Sequence, residues 1–201
     1  MLDFETTGLS PAAGARITEV AALRIEGGRI VDRFVSLVNC HVRVPSFITG
    51  LTGITQQMVD SAPCVSRVVP ELLRFIGTNA LSAHNASFDE KFLCAESRDL
   101  GLAPAHRSLI CSLKLSRRLF PGLSSYKLGT LSSSLGIRFT GTAHRAEADA
   151  EASANVLLHI GDHLRRTYGV SSIDTRLLAR VTALSAARVP EFLARELCHP
   201  A

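Results

Sequence analysis

The spacing of apolar residues changes along the chain, and that change limits the fold more than any other feature of the sequence. Near the N-terminus, Leu2 and Phe4 alternate with Asp3 and Glu5 in the two-residue period of a half-buried strand. Residues 6–11 (Thr6, Thr7, Gly8, Leu9, Ser10, Pro11) have the composition of a turn. Residues 17–25 read as a second strand, Gly27-Gly28 as a hairpin turn, and 30–38 as the returning third strand. The period then lengthens. Val65, Val68, Val69, Leu72, Leu73 and Ile76 follow the i, i+3, i+4, i+7 steps of a helix with one apolar face. Helices are expected at 55–59, 65–76, 89–100, 113–119, 126–135 and 145–168, with 45–53 a short helix or loop. Two brief apolar runs, 80–83 and 109–111, read as buried strands. Antiparallel strands followed by strand–helix alternation make this an α/β chain with a mixed sheet covered by helices.

A chain of 201 residues fits one ordinary domain with room for a small appendage. The appendage is expected after residue 168, where 173–184 and 190–197 read as two more helices of unknown role. Hydrophobic residues make up 46% and charged residues 20%, which excludes a disordered chain. No apolar run reaches the roughly 18 residues that a membrane span requires, and no secretory signal pattern opens the chain. The five scattered cysteines include no Cys-x-x-Cys pair, so they read as reduced thiols rather than a disulfide frame or a zinc site. A cytoplasmic protein is expected. The net charge of +4 is compatible with nucleic acid without pointing to it.

Three segments carry chemistry. Asp3 and Glu5 are two apart on a strand and project to one face, where like charges raise each other's pKa unless a cation lies between them. In Ser82-Ala83-His84-Asn85-Ala86-Ser87-Phe88-Asp89, an apolar run ends in small polar residues before a helix opens. Ser87 is placed to cap that helix, Asp89 to favour its positive end, and His84 reads as a hydrogen-bonded structural group. In His144-Arg145-Ala146-Glu147-Ala148-Asp149, five helical steps would set His144 and Asp149 roughly 140° apart. They converge only if His144 sits in the loop before the helix and Asp149 in its first turns.

Together these segments resemble the DEDDh 3′→5′ exonucleases, the group that includes the epsilon proofreading subunit of bacterial DNA polymerase III. The likeness rests on Asp3-Phe4-Glu5-Thr6-Thr7-Gly8, on His84 to Asp89 and on His144 to Asp149, and extends over about residues 1–165. Leu51-Thr52-Gly53-Ile54, Phe120-Pro121-Gly122 and Tyr126-Lys127-Leu128 are also similar to that family. The resemblance implies a ribonuclease H-like fold with a five-stranded mixed sheet flanked by helices on both faces, an exonuclease domain over 1–168, and a helical tail over 169–201. It further implies Asp3, Glu5, Asp89 and Asp149 as ligands of two Mg²⁺ or Mn²⁺ ions, and His144 as general base. Asp3, Glu5 and Asp149 would hold the ion that carries the attacking water, and Asp3 and Asp89 would support the other. Thr6, Thr7, Leu51 and Thr52 would hold the 3′-terminal nucleotide. The expected partner is the 3′ end of DNA, with a DNA polymerase as a further candidate and no membrane.

Two other readings stand beside this one. The same fold serves 3′→5′ exoribonucleases, and no residue here reports recognition of a 2′-hydroxyl. A non-catalytic nucleic-acid or polymerase-binding module is the other, although a pure binder has no reason to gather carboxylates against phosphate. His159 and His163 are spaced four apart on a helix but lack the glutamate of a zinc-protease pattern, so surface or packing histidines are expected. Family members carry several apolar residues before the first Asp, so the native chain is expected to begin upstream of Met1, and the first strand to fray in its absence.

Overall fold

The computed structural model describes residues 1–139 and 141–198. Among the described residues five strands form, and hydrogen bonding joins them as two sheets. β1 (Leu2–Thr6), β2 (Ile17–Glu26) and β3 (Arg29–Leu37) make an antiparallel sheet in the order β1-β2-β3. β4 (Leu81–Ala83) pairs in parallel with β5 (Leu109–Cys111), and β4 runs beside β1. The expected strands are therefore present, but divided three and two rather than bonded as one mixed sheet. The hairpin works as its composition suggests. Glu26 pairs with Arg29 across Gly27 and Gly28, whose φ values of 57° and 79° suit a turn that follows the strand twist.

Alternation along β1 and β2 sorts their side chains to two sides. Leu2, Phe4, Val20 and Ala22 join a core with Val68 and Leu72 of α3 (Val65–Ile76) and Phe92 of α4 (Ser87–Asp99). Met1, Ala21 and Leu23 pack the other way, against Ala146, Ala150 and Ala154 of α7 (Ala146–Tyr168). Helices thus cover both faces. The alanines recur every four residues, so one smooth stripe of methyl groups meets the sheet. At the start of β1 the Met1 amine donates to the Leu23 carbonyl at 2.7 Å and the Leu23 amide donates to the Met1 carbonyl at 2.7 Å.

α1 (Ser46–Thr52) and α2 (Gln56–Asp60) follow β3. α5 (Ser112–Leu119) and α6 (Leu128–Ser134) precede α7, and the latter is shorter than the expected 126–135. The C-terminal helices α8 (Thr175–Ala183) and α9 (Val189–Cys198) share one apolar cluster with α5 and α7, built around Leu115, Ile160, Leu164, Val181 and Leu193. Asp174 caps α8 by accepting from the Leu177 amide at 2.8 Å. Among the described residues no helix is long and apolar enough to cross a membrane.

Candidate active site

β1 presents Asp3 and Glu5 on the side of the sheet opposite Leu2 and Phe4. α7 brings Asp149 to the same place from its first turn. Asp3, Glu5 and Asp149 each offer a carboxylate oxygen, and the three oxygens lie within 4.8 Å of one another. Among the described residues this is the only such grouping of potential metal ligands. Asp89 enters from the first turn of α4. It is only 3% exposed, and its Oδ1 accepts from the Phe4 amide of β1 at 3.2 Å. The cap expected from Ser87 does not form. Ala86 occupies the N-cap position without a side-chain bond, because the chain is already helical there, and Ser87 becomes the first helical residue.

Burial raises the pKa values of these carboxyl groups, and mutual repulsion adds to it at Asp3 and Glu5. Burial, followed by the charges of Asp89, Asp149, Glu5 and Glu19, raises the pKa of Asp3 well above the usual carboxylate range. Burial and the neighbouring Asp149 and Glu19 push Glu5 up to about 8. Burial pushes Asp89 up to about 7, although the Phe4 amide opposes it. Burial also raises Asp149, with His144 acting in the opposite sense. A crowded set of hard oxygen donors suits Mg²⁺ or Mn²⁺, whose positive charge would relieve the repulsion. On donor chemistry, the residues present fit such an ion.

His144 lies in the loop ahead of α7, as convergence with Asp149 requires. Its φ is +62°, its side chain is exposed, and its backbone amide donates to Asp149 Oδ2 at 3.2 Å. Gly141 opens this loop with φ +92°, and a Cβ there would stand 3.1 Å from the Ala148 Cβ in the first turn of α7. A side chain at this position would strain the backbone and crowd the loop against the helix. Arg145 is the N-cap residue, yet it offers the helix no side-chain cap. Glu19 of β2 does so instead. Its Oε2 accepts from the Ala146 amide at 2.9 Å, and both its oxygens accept from the Arg145 guanidinium. Glu19 is the residue that sequence reasoning missed. Its only signal was a carboxylate inside the apolar run 17–25, where a buried charge demands a partner.

The expected nucleotide-binding residues lie on two neighbouring segments. Thr6 and Thr7 are buried, with the Thr6 hydroxyl donating to the Gly8 carbonyl at 2.7 Å and Thr7 Oγ1 accepting from the Arg16 amide at 2.9 Å. The Thr52 hydroxyl donates to the Ile48 carbonyl at 2.9 Å, so its polar group serves α1. Leu51 is half exposed. Leu9 and Phe47, which the sequence did not single out, are the most exposed large apolar side chains, at 82% and 68%. Leu9 borders a cavity of 270 Å³ shared with Val42, Arg43 and Pro45. A half-buried Arg16, paired with the buried Glu96 at 2.6 Å, ties the base of the Leu9 loop to α4. His84 is structural as expected, its Nε2 donating to the Tyr126 carbonyl at 2.9 Å while Nδ1 lies 3.0 Å from Ser112 Oγ. His159 and His163 pack against Phe120.

Residues 1–157 match an exonuclease family, the RNase T type. The chain is 34% identical over 170 residues to DNA polymerase III subunit epsilon of Aquifex aeolicus, covering 85% of this chain and 83% of that protein. It is 37% identical over 182 residues to the PolC-type DNA polymerase III of Caldanaerobacter subterraneus subsp. tengcongensis, covering 90% of this chain and 13% of that protein. Against the 3′-5′ exonuclease DinG of Bacillus subtilis it is 37% identical over 166 residues, covering 83% of this chain and 18% of that one. The chain therefore spans less than a fifth of the length of these last two relatives. Among solved structures, Exonuclease X in complex with 5′ overhanging duplex DNA superposes with a TM-score of 0.69 at 27% identity, covering 90% of this chain and 98% of that one. The nuclease domain of 3′hExo, described as a DEDDh family member bound to rAMP, shares the fold with a TM-score of 0.70 at 23% identity, covering 80% of this chain and 90% of that one.

Proposed function

Since the chain belongs to the RNase T-type exonuclease family, we propose that it is a metal-dependent 3′→5′ exonuclease releasing 5′-mononucleotides from single-stranded or frayed DNA ends. The observation that carries this reading is the convergence of Asp3, Glu5 and Asp149 within 4.8 Å, from a strand and a helix far apart in sequence. A relative named as the epsilon subunit of a DNA polymerase supports DNA as the substrate and proofreading or repair as the setting.

Asp3, Glu5 and Asp149 would hold one divalent ion, and Asp3 with Asp89 a second. When bound, such ions supply charge stabilisation for the attacking and leaving oxygens of a phosphodiester. The remaining work falls to the chain. His144, exposed in the loop ahead of α7 with its backbone amide on the Asp149 carboxylate, takes the proton of the attacking water. The Thr6 and Thr52 hydroxyls donate within the protein, whereas Thr7 Oγ1 accepts from the Arg16 amide and keeps its proton to offer the terminal nucleotide, beside the backbone groups before Gly8. Leu51, joined by Leu9 and Phe47, offers apolar surface to its base.

The test is degradation of end-labelled single-stranded, 3′-paired, 3′-mismatched and RNA oligomers of one sequence, with Mg²⁺ and Mn²⁺ varied. Stepwise loss from the 3′ end is expected, fastest on single-stranded and mismatched DNA. Asp149→Ala should abolish it, while His144→Ala should lower kcat by about 10²–10⁴-fold and leave metal binding intact. Full activity in Asp149→Ala would sink the assignment. Preference for the RNA oligomer would move it to the exoribonucleases.

A further inference from the structure

We propose that Glu19 and Arg145 form a positioning pair that sets the active-site geometry by fixing where α7 begins; the proposal rests on the exonuclease reading and adds two residues to its site.

The argument starts from how α7 is capped. A helix ordinarily closes its first turn with a side chain from its own N-cap residue. α7 has none from Arg145, and its Ala146 amide is met by a carboxylate from β2 instead. The start of the helix is therefore registered to the sheet as well as to its own loop. Glu19 is also directly opposite Glu5 in the β1–β2 ladder. One carboxylate thus fixes the offset between the strand that carries Asp3 and Glu5 and the helix that carries Asp149.

The clamp has two points. Arg145 Nε donates to Glu19 Oε2 at 3.1 Å, and its terminal nitrogen donates to Oε1. Such a fork fixes orientation as well as distance, which a lysine cannot do. What it orients lies on either side of it. The Arg145 carbonyl accepts from the Asp149 amide at 3.0 Å, and the neighbouring His144 amide donates to the Asp149 carboxylate at 3.2 Å. Both Glu19 oxygens are engaged by the arginine, and one also by the Ala146 amide, so Glu19 does not compete as a further ligand. Arg145 thereby holds the metal-binding carboxylate and the general base through their shared backbone, touching neither the water nor the ion.

The experiment compares Arg145→Lys, Glu19→Gln and the Glu19→Gln/Arg145→Gln double variant with the unaltered chain. Arg145→Lys keeps a cation beside Glu19, and Glu19→Gln keeps an acceptor for the Ala146 amide, so each retains a folded protein to measure. Calorimetric titration with Mn²⁺ should return the same stoichiometry with affinity weakened about tenfold, and kcat on a single-stranded oligomer should fall about tenfold with KM little changed. The unchanged stoichiometry separates displaced ligands from loss of folded protein. The double variant should be no worse than the poorer single, because the two side chains act as one unit. Unaltered Mn²⁺ affinity in the single variants would overturn the proposal, as would additive losses in the double. A raised KM at full kcat would overturn it too, since Arg145 would then be meeting the nucleic acid itself. If the unaltered chain degrades no nucleic acid, the exonuclease reading fails while the Mn²⁺ titration still decides the clamp.

Discussion

Asp3, Glu5, Asp89 and Asp149 crowd a small volume, and each carries its proton to higher pH than it would in an unfolded chain. The folded protein without metal therefore holds protons that the unfolded chain gives up near pH 4. That contribution to stability is complete below about pH 4, where both states are protonated, and is lost as pH rises through about 7 for Asp89 and about 8 for Glu5. A divalent ion selects the charged forms and reverses the trend. The melting temperature of the metal-free protein should fall between about pH 5 and pH 8, and Mn²⁺ should raise it most at the upper end. A melting temperature that climbs with pH in the absence of metal would contradict this account of the site. Asp3 and Glu5 were legible in the sequence because their spacing alone puts them on one face. Glu19 was not, since the group that explains it, Arg145, lies 126 residues further along the chain.

At the scale of elements, the distance between β1 and α7 decides how far Asp149 stands from Asp3 and Glu5, and small side chains set that distance. Ala150 is fully buried against β2 between Ala146 and Ala154. Ala150→Leu should cost about 1–3 kcal/mol in urea unfolding through overpacking. It should also weaken Mn²⁺ binding, because the helix must back away with its carboxylate. Equal Mn²⁺ affinity in this variant would show that the spacing tolerates a larger side chain. The hairpin at Gly27-Gly28 and the long helix α7 were readable from local pattern, since each follows from residues within a few positions. The division of five strands into sheets of three and two was not, because it depends on which backbone groups of β1 and β4 meet after folding. The failed Ser87 cap has a similar origin. Asn85 at φ +70° and Ala86 in helical geometry start the turn early, which residue type alone does not disclose.

Over the whole molecule, the C-terminal helices are built into the structure that supports the site. Leu193 of α9 is fully buried in the cluster that includes Ile160 and Leu164 of α7. Leu193→Ala should destabilise the protein by about 2–5 kcal/mol, in one unfolding transition seen alike by far-ultraviolet circular dichroism and by loss of exonuclease activity. Two separated transitions would mean that residues 169–198 form a unit apart. The two-sided sheet has a different consequence, one of tolerance to change. Leu2 and Phe4 belong to one side of β1 and Asp3 and Glu5 to the other, so position along this strand is a matter of odd and even. Replacing one carboxylate alters one position of the cluster. Inserting a single residue ahead of Glu5 would trade sides for everything on one flank of the insertion, sending a carboxylate into the oily layer and, where Phe4 is on that flank, a phenyl ring toward the carboxylate cluster. Natural variation in such a strand can therefore proceed by exchange of residues, but hardly at all by gain or loss of one.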